Sequence, residues 1–132
     1  MKTITLIVGL PNSGKTTHGK NFKDVIHLDD CMKKYGASWK KEVVNKVNSS
    51  EEDVCMEGIM IKAAYRKKFL DAFKDYEYKK VCIWITTPIE KCIERSSIEG
   101  NKPEYVVKAV AKVFEPIAEE EGWNEIVEIN RE

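Results

Sequence analysis

The segment Gly9-Leu10-Pro11-Asn12-Ser13-Gly14-Lys15-Thr16 satisfies the pattern G-x-x-x-x-G-K-[S/T] in full. The aliphatic run Ile4-Thr5-Leu6-Ile7-Val8 precedes it, and a helix is expected to start at Lys15. A strand that turns through such a loop directly into a helix commits the chain to an α/β architecture. The spacing also has a chemical meaning. Glycines let the backbone turn sharply, so that successive N–H groups point inward at an anion, and the start of the next helix adds the positive end of its dipole. Lys15 is expected to reach the β- and γ-phosphates of ATP as a mobile point charge, with the Thr16 hydroxyl placed to ligate Mg2+. The expected nucleotide contacts are Gly9, Pro11, Asn12, Ser13, Gly14, Lys15, Thr16 and Thr17.

Along the rest of the chain, short β-branched runs alternate with helical periods, the pattern of a parallel sheet covered by helices. Strands are expected near Thr3–Val8, Val25–Leu28, Asp53–Glu57, Val81–Thr86 and Glu125–Ile129. Thr87-Pro88-Ile89-Glu90 reads as a capping box that opens a helix after the fourth strand. Val106, Val110, Val113 and Ile117 share one face of a helix opened by Pro103, with Pro116 bending or ending it. Ile61, Tyr65, Phe69, Ala72, Phe73 and Tyr76 form another apolar stripe, with Lys62, Arg66, Lys67 and Asp71 expected on the solvated side. Trp39, Val43 and Val47 mark a further amphipathic helix whose outer face carries Lys40, Lys41 and Lys46.

At 132 residues the length corresponds to one domain, residues 1–132. No apolar run approaches the roughly 20 residues of a membrane span, and no signal-peptide pattern follows Met1-Lys2, so a cytoplasmic location is expected without membrane partners. Cys31, Cys55, Cys82 and Cys92 lack metal-ligand spacing and are expected as buried reduced thiols. With 22 basic and 22 acidic residues, no global field favours nucleic acid or anionic lipid. His18 and His27 have no evident catalytic partner, and nothing in the sequence points to a partner protein.

Val25-Ile26-His27-Leu28 ends in Asp29-Asp30, and in open α/β sheets the carboxyl ends of strands line the ligand crevice. One carboxylate there is placed to orient and deprotonate an acceptor hydroxyl, unless the pair merely caps the next helix.

The loop motif, the Asp29-Asp30 pair, the acid Glu57 at the end of the third strand, and Arg95 before a short lid at about residues 96–103 resemble the kinase domain of bacteriophage-type polynucleotide 5′-hydroxyl kinases and related small P-loop kinases. The resemblance implies a three-layer P-loop NTPase fold, its five-stranded parallel sheet ordered 2-3-1-4-5 with helices on both faces. It also implies transfer of the γ-phosphoryl group of ATP to an alcohol, most readily the 5′-hydroxyl of a polynucleotide. Asp29 then matches the general base, Arg95 the phosphate-contacting arginine, and Thr16, Asp30 and Glu57 the Mg2+ site.

Departures from the pattern bear on the acceptor. Met32 stands where an arginine would hold an acceptor phosphate, and Glu99 replaces a second lid arginine, with Lys102 nearby. A kinase of a nucleoside, nucleotide or other small alcohol, or a non-catalytic nucleotide-binding module, are the alternatives.

Overall fold

The structure, a computed structural model, describes residues 1–132. Five strands, β1 (Thr3–Gly9), β2 (Val25–His27), β3 (Val54–Glu57), β4 (Lys79–Ile85) and β5 (Glu125–Ile129), form one sheet in the order β2-β3-β1-β4-β5. Every neighbouring pair is parallel. β1 lies at the centre because its aliphatic residues can be buried on both faces, and Ile4, Leu6, Ile7 and Val8 are fully buried. The register sets Ile7 beside Glu57 on one side and Ile83 on the other.

Six helices connect the strands: α1 (Lys15–Gly19), α2 (Leu28–Tyr35), α3 (Trp39–Ser49), α4 (Ala63–Ala72), α5 (Ile89–Glu94) and α6 (Glu104–Val113). Strand alternation divides the core in two. Ile4, Leu6, Val8, Met56 and Cys82 pack with Leu28 of α2, Val43 and Val47 of α3, and Phe69 of α4. Ile7, Cys55, Val81, Ile83 and Ile85 point to the other face, where Phe22 and Val25 pack behind α1. All four cysteines are free and buried, and burial pushes the thiols of Cys55 and Cys82 up to about 12. No helix is long and apolar enough to cross a membrane.

Several local expectations are corrected. Leu28 begins α2 rather than ending β2, so Asp29 and Asp30 lie inside the first turn of a helix and neither caps it. No capping box forms at Thr87. Its helix starts from Pro88 without a side-chain cap, and the Thr87 hydroxyl is spent elsewhere. α6 ends at Val113, where Phe114 turns to extended backbone at ψ 125°, two residues ahead of Pro116. The buried residue of that helix is Val107, whereas Val113 is exposed.

The largest correction is Arg66, expected on a solvated face and found completely buried. Its Nε and Nη2 donate to the Glu121 carboxylate at 2.7 and 2.9 Å, Nη1 to the Met60 carbonyl, and Nη2 to the carbonyls of Glu115 and Pro116. The Trp123 indole and the Ala118 N–H also donate to Glu121. Burial by itself raises the Glu121 carboxyl, but these donors outweigh it and hold the group below its ordinary value of 4.5. Truncation of one partner of such a buried pair typically costs about 3–5 kcal/mol. We expect Arg66→Met to lower the unfolding free energy by about that amount in a denaturant titration, with Glu121→Gln added to it recovering part of the loss. Because the folded carboxyl titrates below the unfolded one, this stability is present above pH 4.5 and is lost as pH falls through the lower, folded value.

Candidate active site

The glycine loop sits at the carboxyl end of β1 and is held open by its own backbone. Asn12 is left-handed at φ 64°, and Gly14 at φ 108° takes a conformation that a side chain would strain. A Cβ on Gly9 would stand 2.7 Å from Ser13 Oγ and 3.0 Å from the Ile85 carbonyl, so only glycine fits. Ser13 is fully buried and its hydroxyl has no partner. Its carbonyl accepts a 2.8 Å bond from the Thr87 hydroxyl, which in turn accepts the Arg131 N–H. Thr87 therefore fastens the loop to the ends of β4 and β5, work that the capping reading had missed.

Lys15 is buried, and its ammonium donates to the carbonyls of Gly9 at 3.0 Å and Leu10 at 2.8 Å. Burial lowers its pKa, opposed by the carboxylates of Glu57 and Asp29. Asp29 is raised above its usual 3.8 by burial and by Glu57, with the ammonium of Lys15 pulling the other way. Lys15, Asp29 and Glu57 thus share one electrostatic neighbourhood, although they come from three separate strand ends.

Asp29 and Asp30 are both exposed as whole residues, but Asp30 lines a different hollow with His27 and Lys34, whereas Asp29 is the carboxylate whose charge acts on Lys15. Glu57 is engaged by a residue that lacked an evident partner in the sequence: His27 Nδ1 lies 2.8 Å from Glu57 Oε2. No group of three or more acidic, histidine or cysteine side chains converges in a way that could hold a metal ion. The oxygen donors on the two sides of the loop are the Thr16 hydroxyl, which borders a polar cavity, and the carboxylates of Asp29 and Glu57, whose charges act on Lys15. Oxygen donors of this kind suit Mg2+, which keeps several waters and takes most of its remaining ligands from phosphate oxygens.

On the opposite side of the loop, Asn12, Thr16, Thr17, Arg95, Lys102 and Arg131 surround a polar cavity of about 430 Å3 without a hydrophobic lining residue. Asn12 ties the loop to residues 96–103: Nδ2 donates to the Lys102 carbonyl at 2.8 Å, and Oδ1 accepts the Lys102 N–H at 2.9 Å. Arg95 Nη1 donates to the Asn12 carbonyl at 3.0 Å and Nη2 to the Arg131 carbonyl. Arg131 runs across Gly14 and approaches His18 Nδ1 at 3.3 Å, which together with burial lowers the pKa of His18. Arg131 is not among the expected site residues, since nothing local to it signals proximity to residues more than a hundred positions earlier.

Asp29 also lines a second cavity, of about 450 Å3, walled mainly by hydrophobic side chains. Asp29 therefore lines this cavity while its charge also acts on Lys15. The apolar wall was not foreseen, although Met32 and the run Ile59-Met60-Ile61 are the sequence signals that belong to it.

Compared with known proteins, the sequence matches no family model and no curated protein, whereas the fold matches solved structures over nearly its whole length. A gluconokinase from Sinorhizobium meliloti superposes with a TM-score of 0.69 at 15% identity, covering 98% of this chain and 82% of that one. The APS kinase CysC of Mycobacterium tuberculosis, solved with AMPPNP and APS, gives 0.63 at 14% identity, covering 99% and 90%. The PezAT toxin-antitoxin system of Streptococcus pneumoniae gives 0.64 at 19% identity, covering 98% and 69%. With the sheet order β2-β3-β1-β4-β5 and the glycine loop at the end of β1, the chain has the fold of small P-loop kinases.

Proposed function

We propose that the protein is an ATP-dependent phosphotransferase that moves the γ-phosphoryl group of ATP to an alcohol. The observation that carries this reading is the position of Asp29, within the electrostatic reach of Lys15 on one side and in the wall of a cavity large enough for a small acceptor on the other. The loop amides and Lys15 cradle the phosphates, while Arg95 and Lys102 stand across the polar cavity where charge accumulates during transfer. Thr16 and Glu57 would hold Mg2+, which neutralises phosphate charge when bound. Asp29 accepts the hydroxyl proton as the acceptor oxygen bonds to the γ-phosphorus and the bridge to the β-phosphate breaks, releasing ADP.

For the acceptor, the resemblance to polynucleotide kinases favours a 5′-hydroxyl end. A small alcohol is favoured instead by the apolar wall beside Asp29, since a polynucleotide is held chiefly through contacts to several phosphates. A labelled γ-phosphate transfer screen over 5′-hydroxyl DNA and RNA, nucleosides and small alcohols tests the reading, and transfer to none of them would overturn it.

The pH dependence of that transfer identifies the base. Asp29 must be ionised to accept a proton, so turnover falls as pH drops through its pKa, and burial beside Glu57 sets this limb above the ordinary aspartate value of 3.8. We expect Asp29→Asn to lower turnover by about 10²–10⁴-fold, to abolish the acid limb, and to leave ATP affinity within a few-fold by calorimetry. Equal activity in the Asn variant removes Asp29 from the mechanism.

A further inference from the structure

The lining of the cavity beside Asp29 limits what kind of molecule can bring a hydroxyl to that carboxylate. Eight of its eleven lining residues are hydrophobic, and its volume of about 450 Å3 falls within the range of small-ligand sites. Met32 of α2, Trp39 of α3, Met60 after β3 and Tyr65 of α4 converge on it from separate elements. Two of them are flat aromatic faces and two are pliable thioethers, a combination suited to a ring. The three charged lining residues are Asp29, Lys40 and Lys68. Both lysines are exposed, so their charges remain in water and select weakly.

These surfaces argue against strongly polar acceptors. A polyol or sugar acid would set several hydroxyls against methionine and tryptophan without partners, and each such group weakens binding by roughly tenfold or more. The polar edge of a nucleobase meets the same wall. An aryl ring gains contact and gives up little hydration.

We propose that the acceptor is a small alcohol with an aromatic, largely apolar body, seated against Trp39, Tyr65, Met32 and Met60 with its hydroxyl at Asp29. The proposal rests on the phosphotransferase reading above and deepens it. Its chemistry is the same balanced transfer: the alcohol oxygen gains the γ-phosphoryl group of ATP, ADP leaves, and the hydroxyl proton passes to Asp29.

The test uses the full chain with Mg2+ and labelled ATP. The aryl probes are 2-phenylethanol, 3-phenylpropan-1-ol and 2-(4-hydroxyphenyl)ethanol, compared with glycerol, gluconate, thymidine and a 5′-hydroxyl oligodeoxynucleotide. Binding of the same aryl alcohols without ATP is followed by tryptophan fluorescence, with Trp39→Phe to assign the signal. The expected result is a kcat/KM for at least one aryl alcohol tenfold or more above every polar acceptor, and quenching that vanishes in Trp39→Phe. Tyr65 is 46% exposed, so Tyr65→Ala should fold and raise the KM for the aryl alcohol about tenfold with little change in kcat or ATP affinity. Met32→Lys, which places a charge in the apolar wall, serves as a second variant with the same expected direction, and thermal melts confirm that both variants are folded. Preference for gluconate, glycerol, thymidine or the oligonucleotide overturns the aromatic class and leaves the phosphotransferase standing. Saturable aryl-alcohol binding at Trp39 with transfer to no acceptor supports the ligand class and overturns the phosphotransferase. Absence of both binding and transfer overturns the proposal itself.

Discussion

Lys15→Ala is expected to bring phosphoryl transfer below detection while leaving the fold in place. In the free protein the Lys15 ammonium is parked on the carbonyls of Gly9 and Leu10, inside the loop. A γ-phosphate offers it an anionic partner in exchange for two neutral carbonyls, which adds direct charge attraction to hydrogen bonds already assisted by the charge of the ammonium. No other ammonium donates to the loop carbonyls, and Lys102 borders the polar cavity outside the loop. The fold should tolerate the change, since burial disfavours the charged lysine and its removal relieves that cost. Calorimetry should show weakened ATP binding, the labelled-phosphate assay no turnover, and thermal melting a shift of only a few degrees. Transfer at the wild-type rate would show that the loop is not the phosphate site.

Arg95→Ala should reduce turnover by roughly 10³-fold or more, the loss expected of an arginine that stabilises charge in phosphoryl transfer. The structure gives Arg95 a second task, because its guanidinium braces the loop through the carbonyls of Asn12 and Arg131. The two roles separate in the kinetics. Loss of transition-state stabilisation lowers kcat with ATP affinity nearly unchanged, whereas a collapsed loop also weakens ATP binding. Arg95→Lys distinguishes them further, since lysine restores the charge but cannot span two carbonyls in one plane. A kcat unchanged in Arg95→Ala would leave Arg95 with the bracing role alone.

The two halves of the site differ in how they are encoded. The loop is a contiguous segment whose backbone geometry follows from its own glycines and from the strand before it, so Gly9 through Thr16 could be assigned from spacing. The cavity beside Asp29 is assembled from α2, α3, the segment after β3, α4 and α6, so its lining runs from Leu28 to Val110. Met32 looked like the loss of a phosphate-holding arginine. In the structure it belongs to a coherent apolar surface.

Periodicity also misjudged particular residues for definable reasons. Arg66 falls among lysines on a helix with an apolar stripe, and a local pattern treats every cation there as solvated. The return of the 115–121 segment supplies the carboxylate and two of the carbonyls, with Met60 giving a third, that make its burial tolerable. Thr87 stands in a sequence that reads as a helix cap, yet the loop carbonyl of Ser13 offers its hydroxyl a buried partner, and a tertiary hydrogen bond in that setting wins over a local one.

What the sequence determined by itself was the α/β alternation, the approximate position of all five strands, and the glycine loop between β1 and α1, because these depend on short-range periodicity and on the conformational freedom of glycine. The tertiary structure alone decided which carboxylates act on the charge of Lys15, that Asp30 lines a hollow apart from it, that Arg131 closes over the loop, and that the cavity beside Asp29 is apolar. Those features arise where distant segments converge at the carboxyl edge of the sheet, and burial and electrostatics at such a point are properties of the assembled surface rather than of any one segment.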